Sequence, residues 1–187
     1  MVGGLALLAA GASTRPTSDF DAFMAEPFAV PRAAAAFAEL SRSRGWQLEI
    51  VKVSDTFARL AVHGPETLMI DLALDSRAVT ASIQTELGPT CSLDELVARK
   101  ILALFGRALP RDFVDVYLLS HKVDIDDALV ISREIDTGVA DKFLAQAIRR
   151  LEFYSDSDLP MVAAEIEPMR RFFVAWRQRL DGGSAGG

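Results

Sequence analysis

Apolar and polar residues alternate along the first half of the chain and recur at helical spacing along the second. Leu68, Ile70, Leu72 and Leu74 share one face of a predicted strand, which leaves Met69, Asp71, Ala73 and Asp75 on the other. Two further strands are predicted ahead of it. Phe57 to His63 is apolar at most positions, and Trp46 to Val53 places Trp46, Leu48, Ile50 and Val51 in an imperfect alternation. A helix over Arg32 to Arg44, opened by Pro31 and closed by Gly45, precedes these strands and carries Phe37 and Leu40 as an i, i+3 pair.

From Gly88-Pro89 onward the pattern is helical. Ser92-Leu93-Asp94-Glu95 reads as a capping box, so a helix runs to about Phe105 and stops at Gly106, with Leu93, Leu96, Val97, Ile101 and Leu104 as its stripe. Pro110 sets the first turn of a helix through Leu119. Three more stretches follow: Asp124 to Ile135, Val139 to Tyr154 with Phe143, Leu144, Ile148 and Leu151, and about Pro168 to Leu180. The spacing of Met169, Phe172, Phe173 and Trp176 suits a core stripe, or else a face that docks a partner. Gly182 to Gly187 reads as a flexible tail.

Composition narrows the class. With 187 residues, half of them apolar, the chain has enough length to bury a real core. The uncharged opening run, Met1 to Thr14, is shorter than the roughly 20 residues a membrane helix needs and has no cationic flank of a secretory signal. Cys91 is the sole cysteine, which excludes an intrachain disulfide and a cysteine-built zinc site and points to the cytoplasm. A net charge of -6 argues against general adhesion to nucleic acid. The late arginines Arg149, Arg150, Arg170, Arg171, Arg177 and Arg179 are either an RNA-facing patch or solvated helix faces.

Candidate chemistry gathers at a few positions. Asp19 and Asp21, spaced by one residue on a predicted short strand, point to the same face, as carboxylates must to converge on a metal. Asp71 is a candidate third carboxylate, or a solvent-facing strand residue. Gly3 and Gly4 enter a helix-forming run, where free backbone N–H groups hold phosphate; the pair also suits a flexible entry, and the strand that would deliver such a turn is short or missing. Lys100 lies within an apolar helical stripe, so its amine either snorkels outward or serves an anionic site. Asp112 suits the N-terminal dipole of the next helix, whereas Asp115 lies deeper, against Leu118 and Leu119. A buried carboxylate needs a cation, and Lys100 is the nearest candidate. His63 and His121 stand apart from any such cluster and read as structural.

The order Gly-Gly-x-Ala-Leu, Arg-x-Thr-x-Asp-Phe-Asp, a helical lysine and Arg-Asp-x-x-Asp-x-Tyr-Leu-Leu resembles the AbiEii/AbiGii (MenT-like) toxin nucleotidyltransferases of bacterial toxin–antitoxin systems, from residue 3 to about residue 120. The resemblance implies an α+β fold: a DNA-polymerase-beta-like nucleotidyltransferase core, a small mixed sheet flanked by helices, followed by a helical lobe. The expected division is 1–90 for the core, 91–181 for the lobe that brings Lys100 and Asp115 to the site, and 182–187 for the tail. In this resemblance Gly3 and Gly4 approach the triphosphate, Arg15 and Thr17 line it, Asp19 and Asp21 hold magnesium, Lys100 contacts phosphate and Asp115 completes the catalytic set. Thr17 stands where the family often has serine and keeps the hydroxyl. The implied activity is transfer of a nucleotide from an NTP to RNA, most simply the 3′ end of tRNA, which blocks translation; a cognate antitoxin is the implied partner. Nucleotidylation or phosphorylation of a protein hydroxyl, and a degenerate binder without turnover, are the competing readings.

Overall fold

The computed structural model describes residue 6, residues 19–86 and residues 88–183. The chain divides into two units, residues 1–96 and 97–187.

The first unit is built on a four-stranded sheet of β1 (Asp19–Met24), β2 (Gln47–Val53), β3 (Phe57–His63) and β4 (Thr67–Leu74), in the order β1-β4-β3-β2. β1 lies parallel to β4, while β4 with β3 and β3 with β2 run antiparallel, so the sheet is mixed as expected. The period-2 pattern sorts the two faces. Ala58, Leu60, Val62, Ile70 and Leu72 pack on one side against Val30 and Ala34 of helix α1 (Ala29–Ser43), with Phe20, Phe37 and Leu48 at the margin. Each fully buried aliphatic there contributes about 1.5–3 kcal/mol.

α1 ends as Gly45 predicts. Gly45 has φ 70°, its N–H donates to Arg42 O (3.1 Å), and the Trp46 N–H donates to Ser41 O (2.9 Å). This pair of bonds is the Schellman closure, which requires the left-handed residue that glycine supplies at little cost. A short hairpin of β5 (Ile83–Thr85) and β6 (Gly88–Thr90) follows; its three-residue strands carry too little periodicity to be read from the sequence, and Gly88-Pro89 lies inside it. At the start of α2 (Leu93–Arg107) the Ser92 hydroxyl accepts from the Glu95 N–H (3.2 Å), as a capping box requires. The fully buried Glu95 carboxylate accepts from the Thr80 N–H (3.0 Å) and hydroxyl (2.8 Å).

The second unit contains the rest of α2 and helices α3 (Pro110–Ser120), α4 (Ile125–Ile135), α5 (Asp141–Arg149) and α6 (Ala163–Gly183). Asp124 caps α4 by accepting from the N–H groups of Asp126 (2.8 Å) and Asp127 (3.3 Å). The helix predicted over residues 139–154 is shorter. It gives way to a 3-10 turn at Arg150–Phe153, and Phe143 is half-exposed with the Lys142 amine 4.7 Å from its ring centre rather than in the core. α6 begins earlier than Pro168, which lies inside it. The buried series Ile166, Met169, Phe173, Trp176 and Leu180 explains why, because one continuous stripe compensates for the backbone bond that proline removes. Met169, Phe173 and Trp176 are therefore core, not a docking face, and the ring of Phe173 meets Phe113 edge-on at 5.2 Å. α6 also runs through Gly183, two residues into the segment read as a tail.

Candidate active site

The face of the sheet opposite α1 carries the charges. In β1 the residues Asp19, Asp21 and Phe23 point away from the apolar side, and the register pairs Asp21 with Asp71 of β4. β4 pairs Asp71 in turn with Arg59 of β3, and β3 pairs Arg59 with Lys52 of β2. Lys52, Arg59, Asp71 and Asp21 thus form one row across all four strands. Lys52 reaches this row through a register shift between Ile50 and Lys52. An extra residue in one strand reverses the side-chain parity beyond it, so Leu48 and Ile50 face the α1 side while Lys52 faces the carboxylates.

Arg59 grips Asp71 with a two-pronged fork, Nε to Oδ1 at 2.7 Å and Nη2 to Oδ2 at 2.5 Å. The hydrogen bonds to Asp71, and then its charge, raise the guanidinium pKa above its ordinary value, and the charges of Asp19 and Asp21 add to this. The Lys52 amine turns the other way, 5.6 Å from the centre of the Phe57 ring. Among the described residues, no group of three or more His, Cys, Asp or Glu side chains is placed to hold a metal ion. Gly3, Gly4, Arg15 and Thr17 lie outside the described residues.

In the second unit Lys100 and Asp115 meet, with Lys100 Nζ 2.7 Å from Asp115 Oδ2 and side chains only 19% and 11% exposed. The turn between α2 and α3 sets their alignment. Asp112, fully buried, accepts from Arg107 Nε (2.9 Å), Arg107 Nη2 (2.7 Å) and the Leu109 N–H (3.0 Å), so it fastens the start of α3 to the end of α2. Ala108 adopts φ 47° in this turn, and its carbonyl accepts from the Tyr154 hydroxyl (3.0 Å). A left-handed alanine costs about 1–2 kcal/mol, which these bonds offset. Asp112 and Asp115, one turn apart in sequence, therefore do different jobs: the first closes a turn, the second meets the stripe lysine.

Elsewhere the sequence candidates resolve into structure. Arg149, Arg170, Arg171, Arg177 and Arg179 each face a carboxylate, on Asp181, Asp156, Glu167, Glu152 and Asp126 respectively; Arg149, Arg171 and Arg179 read as solvated, charge-balanced helix faces, whereas Arg170 and Arg177 are largely packed, and Arg170 also donates to Leu151 O and Tyr154 O. His63 lies 3.1 Å from the Thr67 hydroxyl, and His121 packs edge-on against Tyr117. Lys52 and Arg59 are the site-face residues that sequence reasoning passed over. The adjacent apolar pair Ile50-Val51, which breaks the alternation of β2, was the signal for the bulge that aims Lys52.

A mixed sheet with two aspartates on the face opposite α1, followed by a helical unit with a partly buried Lys–Asp pair, makes an α+β protein. The chain belongs to the AbiEii family: the family model for nucleotidyl transferase AbiEii toxins of type IV toxin–antitoxin systems matches residues 1–175. It is thus a toxin nucleotidyltransferase, and membership implies an NTP substrate and an antitoxin partner. Solved structures share the fold. JHP933 from Helicobacter pylori superposes over 97% of this chain and 84% of its own with a TM-score of 0.55 at 16% identity. MenT4, a nucleotidyltransferase toxin from Mycobacterium tuberculosis H37Rv, does so over 86% of this chain and 71% of its own with a TM-score of 0.56, also at 16% identity. No curated protein matches the sequence. Among the described residues, no helix is long and apolar enough to cross a membrane.

Proposed function

We propose that this chain transfers a nucleotide from an NTP to an RNA acceptor, the 3′ end of tRNA, and thereby blocks translation in the cytoplasm until a cognate antitoxin neutralises it. The observation that carries the reading is the open sheet face on which Asp19 and Asp21 stand at i, i+2 beside the charged row of Asp71 and Arg59. The donor set fits magnesium, because Asp19 and Asp21 offer hard carboxylate oxygens and that ion is commonly held by one or two carboxylates plus substrate phosphates. When bound, magnesium supplies neutralisation of phosphate charge and a lowered pKa for the attacking hydroxyl.

The chain's own groups do the rest. β1, hydrogen-bonded along its length to β4, fixes the two aspartates on one face. Lys100 donates to a phosphate of the NTP, and Asp115 holds that ammonium in place; their partial burial makes the charge act more strongly than it would in bulk water. Gly3, Gly4, Arg15 and Thr17 belong to nucleotide binding in the same reading.

The test is incubation of the protein with magnesium, each α-labelled NTP in turn, and total tRNA or cell protein. Label on tRNA that is lost in Asp19→Ala supports the reading. Label on protein moves the acceptor to a protein hydroxyl. No label, with wild type indistinguishable from Asp19→Ala, leaves a nucleotide or partner binder and overturns the transferase reading.

A further inference from the structure

Asp71 presents both carboxylate oxygens to Arg59, at 2.7 and 2.5 Å, and this changes what the third aspartate of the open face can do. A bidentate guanidinium fork is the most specific partner a carboxylate finds among side chains, since two parallel donors match two oxygens. Other features favour Arg59 remaining there. Its cross-strand neighbour on the far side is Lys52, and like charges directly opposite each other in a sheet are unfavourable, so Arg59 gains by leaning toward Asp71 while Lys52 leans toward Phe57. Asp19 and Asp21 attract the same guanidinium. The row therefore pairs Arg59 with Asp71, and Asp21 stands next to Asp71 at its end.

On the reading that Asp19 and Asp21 form the metal site, we infer that Arg59 withholds Asp71 from that site. The ion is held by Asp19 and Asp21 with substrate phosphates, and Asp71 balances Arg59 instead of ligating. Arg59 is then a positioning residue in two respects. It fixes the number of protein carboxylates available to the ion, and it sets a positive charge beside the site, so that the ion binds weakly until NTP phosphates add their own charge. The consequence is a dependence of metal binding on nucleotide that the sheet itself imposes.

The experiment measures Mn2+ affinity of the full chain by the electron paramagnetic resonance signal of free Mn2+, without nucleotide, for wild type, Arg59→Ala, Arg59→Ala with Asp71→Asn, and Asp19→Asn. Arg59→Ala is expected to tighten Mn2+ binding roughly tenfold, because one positive charge leaves and Asp71 is released. The double variant removes opposite charges together, so its affinity is expected to stay within about fivefold of wild type. A loss of more than about fivefold in the double variant would show Asp71 to be a ligand already and overturn the inference. So would a gain of less than about threefold in Arg59→Ala. Asp19→Asn tests the underlying reading separately: it should abolish Mn2+ binding, and unchanged affinity there defeats the metal site itself whatever Arg59 does. Arg59 and Asp71 are 48% and 25% exposed and their pair adds little to stability, so folding should persist, and unchanged far-ultraviolet circular dichroism is the control for every variant.

Discussion

Two aspartate–cation pairs, one in each unit, have nearly the same contact distance and opposite physical character. Arg59 and Asp71 bridge adjacent strands with side chains 48% and 25% exposed, whereas Lys100 and Asp115 join two helices at 19% and 11%. Water screens the first pair, so the pair contributes little to the stability of the fold. The second pair has given up most of its hydration, and each member depends on the other. The sheet pair thus adds little to the fold, while the helix pair is a fixed part of its unit.

The largest effect expected from this contrast is at Asp115. Asp115→Ala strands a mostly buried ammonium and should destabilise the protein by about 3 kcal/mol in urea unfolding. Replacing both partners, Lys100→Met with Asp115→Leu, should recover most of that stability, since an apolar pair of similar volume needs no compensation. The recovered protein should still fail to label tRNA. A double variant as unstable as Asp115→Ala breaks the comparison on the energetic side; one that retains transfer breaks it on the functional side.

Asp112 sharpens the same comparison within a single helix. It is fully buried, yet its partners are Arg107 at the end of α2 and the Leu109 N–H of the turn that follows. Asp112→Ala should cost about 2 kcal/mol, the loss of charge-assisted hydrogen bonds plus the cap. Transfer per folded molecule should be unchanged, measured by normalising label to the folded fraction. Loss of transfer in fully folded Asp112→Ala would place both aspartates in the site and remove the distinction between them.

How much of this was legible beforehand follows the range of the interactions. The shared face of Asp19 and Asp21, the placement of Asp71 opposite Ile70 and Leu72, and the meeting of Lys100 with Asp115 all depend on spacing within one element or between successive helices, which strand and helix periods report directly. Arg59 was invisible for the opposite reason. Its partner is set by β3 pairing with β4 in one particular register, and Phe57 to His63 reads as an apolar strand with no hint of which carboxylate lies across from it. Lys52 was hidden by the bulge, which inverts the period on which the reading of β2 relied. Pro168 misled because proline favours a first helical turn locally, while the stripe from Ile166 to Leu180 that overrides it is a matter of tertiary packing.

The smallest effect is the most direct check on the sheet pair. Because Arg59 and Asp71 are exposed, Arg59→Ala should change stability by less than about 1 kcal/mol at low ionic strength. That difference should vanish near 1 M salt, where the Debye length shrinks to about 3 Å, comparable to the contact itself. Asp115→Ala should keep its deficit at the same salt, since ions do not reach a pair held between packed helices. Urea unfolding of both variants at low and high salt reads the contrast in one experiment. If the Arg59→Ala deficit were instead large and indifferent to salt, Arg59 would be a structural clamp of the same kind as the Lys100–Asp115 pair, and the contrast between the two units would fail.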